Sequence, residues 1–148
     1  MERRVGIPVD RVESLVVPKR GGVVRVEGYR WIGLLADDFE GTVEFFSEVL
    51  GLELEDLDKE KVIAMFRLPS GQGFEVFGPN NRERKHKYRL MDGPVVGLEV
   101  ADVTAARDQL IAQGVEFVTD VEAAPSGSTW AFFLGPDNRL YSLQNQGN

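Results

Sequence analysis

The chain of 148 residues predicts an α+β domain made of two tandem βαβββ modules, and three observations predict it. Strand-length apolar runs and two segments of helical period occur in the same order twice. Each helical segment has an Asp before it and a Gly after it, as a capped and stopped helix requires. The halves also superpose at a nearly constant spacing: Gly33 and Gly97 stand 64 positions apart, Gly51 and Gly114 stand 63 apart. A spacing kept across strand, cap and stop marks a duplicated module, and two copies are too few for a solenoid.

Residues 1–28 form an N-terminal arm or hairpin in this reading. VESLVV and VVRVEG are β-type runs around the turn-prone PKRGG. The segment is either a loose tail or an arm that covers a sheet edge. Module one spans 29–78. It opens with the strand YRWIGLLA, and Asp38 caps a helix that places Phe39, Val43, Phe46, Val49 and Leu50 on one face. Gly51 stops that helix, and LELEDLD, KVIAMFRLP and GFEVFG follow as strands. Residues 79–93 are polar and basic and connect the modules. Module two spans 94–145. VVGLEVA is its first strand, and Asp102 caps a helix with Val103, Ala106, Leu110 and Ile111 on one face. Gly114 stops it, and VEFVTD, STWAFFLGP and RLYSLQN close the module.

Composition removes whole classes of function. The hydrophobic share of 43% and charged share of 28% suit one globular core. A net charge of -7 opposes a nucleic-acid or anionic-membrane surface, because both need excess Lys and Arg. No apolar run approaches the ~18 residues of a membrane helix. MERRVGIPVD lacks the apolar stretch of a signal peptide, so the expected location is the cytoplasm. The absence of Cys excludes disulfides and thiolate sites. The single His86 excludes every metal site needing two histidines from one chain.

The strings IGLLADDFEGTVEFFSEVLGLEL, VVGLEVADVTAARDQLIAQGVEF and GPDNRLYSL resemble the vicinal oxygen chelate superfamily, the glyoxalase, bleomycin-resistance and extradiol-dioxygenase group. The resemblance covers about residues 29–145. It implies that residues 29–148 form a single glyoxalase-like domain whose eight strands curl into an incomplete barrel around a cavity. It also implies a homodimer, as in most members. Metal-dependent members draw their ligands from the first and last strands of each module. Carried over position by position, those ligands become Trp31, Glu75, Val95 and Ser142. Only Glu75 is an ordinary ligand, and a lone carboxylate does not hold a first-row metal. The expectation is therefore no metal and no cofactor.

Losing those ligands leaves an apolar, aromatic cavity. Trp31, Phe77, Val95, Trp130, Phe132, Tyr141 and Ser142 are the candidate ligand-binding residues, although alternate strand residues also serve as plain core. Glu75 is the candidate catalytic residue, as a general base or as an anchor for a cationic ligand. The competing reading of Glu75 is a carboxylate satisfied by Arg67, Arg139 or water. The basic run Arg82, Arg84, Lys85, Lys87 and Arg89 is either a solvated connection or an anion-facing patch beside the cavity mouth. His86 reads as an exposed linker residue. The main expectation is a metal-independent protein that binds a planar or aromatic small molecule, not nucleic acid or membrane. One alternative is a lyase, isomerase or oxygenase of the glyoxalase or dioxygenase type that uses Glu75 with an atypical or absent metal. The other is a structural or partner-binding relic.

Overall fold

The computed structural model describes residues 24–147. Most of the expected N-terminal arm lies outside that range. Residues 24–27 form no strand, but the Glu27 amide donates to the Glu99 carbonyl and extends the sheet by one bond.

Module one comprises β1 (Gly28–Leu35), α1 (Phe39–Glu44), β2 (Glu53–Asp58), β3 (Ile63–Arg67) and β4 (Gly73–Phe77). A turn at Pro79–Glu83 and the short helix α2 (His86–Arg89) link it to module two. Module two comprises β5 (Val95–Glu99), α3 (Val103–Ala112), β6 (Glu116–Phe117), β7 (Glu122–Ala123), β8 (Thr129–Leu134) and β9 (Leu140–Asn145). The nine strands among the described residues form one curved, open sheet in the order β2-β3-β4-β1-β5-β9-β8-β6, with β7 also paired to β8. The modules meet at the antiparallel β1–β5 pair. Within each module the first strand runs parallel to the last, which sets Gly33 against Glu75 and Gly97 against Ser142. That matched register makes Glu75 and Ser142 equivalent positions of the two modules. No helix among the described residues is long and apolar enough to cross a membrane.

Strand alternation sorts side chains onto two faces. One face packs under the helices. Ala64, Phe66 and Val76 meet Phe39, Val43 and Phe46 of module one, while Ala131 and Leu143 meet Val103, Ala106 and Leu110 of module two. The other face carries Trp31, Phe77, Val95, Phe132 and Leu140, with Tyr88 and Met91 of the connection packed on them.

Both caps form as expected, with Asp38 accepting from the Gly41 amide and Asp102 from the Ala105 amide. Gly51 and Gly114 stop their helices at φ 72° and 93°. A β-branched side chain in that left-handed region costs about 1–2 kcal/mol. Gly51→Val therefore lowers the melting temperature by several degrees, measured by calorimetry. An unchanged value would contradict this account of the helix end.

Four expectations need correction. The first helix does not stay α-helical to Leu50, because Phe45–Val49 widens into a π turn. The Ser47 hydroxyl donates to the Val43 carbonyl at 2.7 Å, and the Leu50 amide reaches back to Phe45. The extra residue turns Val49 and Leu50 out to 68% and 54% exposure. Ile111, at 44%, also leaves its expected face. VEFVTD is not one strand. Its ladder ends at Phe117, the Thr119 hydroxyl takes the Phe132 amide, and the chain rejoins the β8 edge as β7. Finally, the connection is not wholly solvated. Asn81 is buried and donates to the Lys61 and Val62 carbonyls, which pins the segment to the β2–β3 loop. Lys87 and Tyr88 face inward.

Candidate functional site

The face of the sheet away from α1 and α3 holds a cleft of about 810 Å³. It lies between β1, β3, β4 and β8, the connecting helix α2 and the C-terminal segment. Glu75, Trp31, Phe77, Trp130 and Phe132 line it. The remaining expected residues do not. Val95 and Ser142 are on the cleft-side face but buried, at 2% and 0% exposure. Ser142 Oγ accepts from Gln144 Nε2, which lies over it. Tyr141 falls on the helix face and stacks on Phe133 at 5.7 Å, because it is one residue out of phase with Ser142.

Small residues make room for the large ones. A Cβ on Gly33 would meet the Trp31 ring at 2.1 Å, and one on Gly73 would sit 3.5 Å from it. The indole therefore lies along its own strand, edge-on to Phe132 at 6.0 Å and Phe77 at 6.4 Å. Trp31 Nε1 donates to Glu75 Oε1 at 2.8 Å. This indole, and not Arg67 or Arg139, is the hydrogen-bond donor to Glu75. Arg67 binds Glu55, and Arg139 pairs with Asp137 in a surface turn. Burial among apolar neighbours pushes the Glu75 carboxyl above the usual carboxylate range. The Trp31 hydrogen bond and the nearby positive charges of Lys87 and Arg67 oppose that rise without cancelling it.

A second carboxylate is held the same way. Trp130 Nε1 donates to Glu122 Oε1 at 2.7 Å, and Lys87 Nζ donates to the same oxygen at 2.7 Å. The Lys87 side chain is 5% exposed, and its ammonium sits 4.5 Å from the Phe132 ring centroid. Burial lowers its proton affinity below that of an ordinary lysine, and Glu122 holds part of it back. Burial likewise pushes the Tyr88 phenol up. His86 is exposed on the outer side of α2 and does not line the cleft.

Lys87 and Glu122 were not singled out from the sequence. Lys87 is one cation in a run of five, and nothing local distinguishes the one that turns inward. Glu122 follows the broken strand and reaches Lys87 only through the β7–β8 pairing.

The four positions that the superfamily uses for metal carry Trp31, Glu75, Val95 and Ser142. They do not fit a first-row metal. Two have no donor, one is a buried hydroxyl already engaged by Gln144, and the carboxylate is engaged by an indole N–H. Among the described residues no three His, Cys, Asp or Glu side chains are grouped closely enough to hold a metal ion. What the cleft does hold is a carboxylate of raised proton affinity and an ammonium of lowered proton affinity, walled by aromatic rings.

Comparisons with known proteins agree with this architecture. The sequence model of the Glyoxalase/Bleomycin resistance protein/Dioxygenase superfamily matches residues 28–141. A 2-epi-5-epi-valiolone epimerase from Actinomyces sp. is 31% identical over 134 residues, covering 73% of each chain. Among solved structures, methylmalonyl-CoA epimerase from Mycobacterium tuberculosis is 21% identical with a TM-score of 0.63, over 83% of this chain and 90% of that one. A superfamily member from Vibrio splendidus 12B01 is 17% identical with a TM-score of 0.57, over 82% and 98%. Both share the fold.

Proposed function

The chain belongs to the Glyoxalase/Bleomycin resistance protein/Dioxygenase superfamily, and from that premise we propose that it is an isomerase that epimerises a carbon next to a carbonyl group. The observation that carries this reading is the presence of Glu75 and Lys87 in one cleft. The 31% identical relative is an epimerase, which favours an enzyme over the metal-independent binding protein expected from the sequence.

In this reading the C–H bond beside the carbonyl breaks toward the free oxygen of Glu75. The electron pair moves onto the carbonyl oxygen. A new C–H bond then forms on the opposite face with a proton from Lys87. Glu75 is left protonated and Lys87 neutral, and exchange with water resets both. Raised proton affinity makes Glu75 a stronger base near neutrality, and lowered affinity makes Lys87 a stronger acid. The donor set at the four inherited positions leaves the developing charge to Lys87, because both indole N–H groups already bind carboxylates. Aromatic walls strengthen that interaction by excluding water.

The test is proton exchange in D2O, followed by NMR. The panel contains chiral 2-substituted ketones, acids and thioesters. The expected result is deuterium at the inverted carbon of at least one compound, lost in Glu75→Gln. Saturable binding of the panel without exchange would return the small-molecule binding protein to first place.

A further inference from the structure

We propose that Arg30 and Arg67 form an anion clamp that seats a carboxylate or phosphate group of the substrate at one end of the cleft. The clamp rests on the isomerase reading only in that its occupant is that reaction's substrate; anion binding itself does not depend on turnover.

Neighbouring strand residues normally point to opposite faces. Here both Arg30 and Trp31 line the cleft. The cause is a bulge in β1. Tyr29 pairs with Leu98 and Trp31 with Gly97, so Arg30 is an extra residue with no partner of its own. Such bulges re-aim a side chain. Arg30 Nη1 donates to the Gly71 carbonyl at 2.9 Å and to Gln146 Oε1 at 2.8 Å. Arg67 Nη1 donates to the same Gly71 carbonyl at 3.0 Å. Two guanidinium groups thus meet on one neutral oxygen.

Two cations held this close repel each other, and their local counter-charges are unequal. Glu55 grips Arg67 through Nε and Nη2 at 3.1 and 2.7 Å, which fixes its plane. Glu99 forms an ion pair with Arg30 Nε at 3.7 Å, close enough to offset its charge but beyond hydrogen-bond reach. That Nε is buried and has no hydrogen-bond partner. A pair of carboxylate or phosphate oxygens matches a guanidinium fork and relieves the repulsion. Ser126 and Ser128 line the same cleft, with Ser126 Oγ donating to Ser128 Oγ at 3.3 Å and Ser128 Oγ to the Gln146 carbonyl at 2.9 Å. The chain as a whole carries -7, so a converging cationic pair inside this cleft is not a product of average composition.

The experiment is isothermal titration of the intact protein with three probes: malonate, inorganic phosphate and uncharged malonamide. Wild type is expected to bind an anion and to show no affinity for malonamide. Tighter malonate than phosphate assigns a carboxylate; the reverse assigns a phosphate. Arg30→Gln is expected to weaken that anion at least tenfold. Arg30→Lys, which keeps the charge and loses the fork, should fall between them. Circular dichroism of each variant confirms the fold, and Arg67→Lys gives a second reading if Arg30→Gln does not fold. Unchanged anion affinity in the folded variants, or equal binding of malonamide, would overturn the clamp. So would anion binding lost only in Lys87→Met. Because no turnover is read, a failed exchange assay with intact anion binding sinks the isomerase and spares the clamp.

Discussion

Glu75→Gln is expected to lower kcat/KM for epimerisation by about 10²–10⁴-fold, the usual contribution of a positioned general base. The change is nearly isosteric. The glutamine oxygen still accepts the Trp31 N–H, so packing and binding stay close to wild type. Only the capacity to take a proton disappears. The pH dependence has a definite sign. Burial raises Glu75 above the usual carboxylate range, and the base must be ionised to work. The acid limb of the wild-type profile therefore lies at a higher pH than an ordinary carboxylate gives. Stability moves the other way. A raised folded-state value means that the contribution of Glu75 is present below the unfolded pKa and is lost as pH rises through the folded one. Gln carries no such charge, so the inactive variant should melt at or above the wild-type temperature at pH 8. A variant that retains activity, measured in the same exchange assay, would remove Glu75 from the mechanism.

Lys87→Met should have an effect of similar size, because it deletes the proposed proton donor and the nearest positive charge to the developing enolate. Burial lowers Lys87 below an ordinary lysine, and the acid must be protonated to work. Wild-type activity therefore falls as pH rises through a value below the usual lysine range. Met is unbranched and apolar and suits the aromatic surroundings of Phe132 and Trp130. Glu122 retains the Trp130 N–H, with Lys85 Nζ 3.9 Å away. Lys87→Arg separates two roles. It keeps the charge and cannot release a proton near neutral pH. Rescue by Arg would assign Lys87 to charge stabilisation; no rescue would assign it to proton delivery. Full activity in Lys87→Met would exclude both.

The duplicated module was legible because its signals are local. Asp38 and Asp102 cap amides three residues on, and Gly51 and Gly114 take backbone angles that other residues resist. Glu75 stood out because it is a lone carboxylate at a position the superfamily reserves for a ligand, and the observed register places it opposite Gly33 as the repeat requires. Trp31 stood out through the same correspondence, though its hydrogen bond to Glu75 did not.

Tertiary packing decided the rest. Phe46 of the π turn seats against Phe66 and Phe74, strands away in the sequence. Lys87 looks like its basic neighbours until α2 packs on Phe132 and the β8 edge brings Glu122 to it across 35 positions. Arg30 reaches the cleft only because a bulge against β5 reverses its face. Caps and stops act within a turn of chain, so residue order alone specifies them. The proton affinity and aim of a buried charge depend on desolvation and on partners from distant segments, and these exist only once the sheet has curled around them.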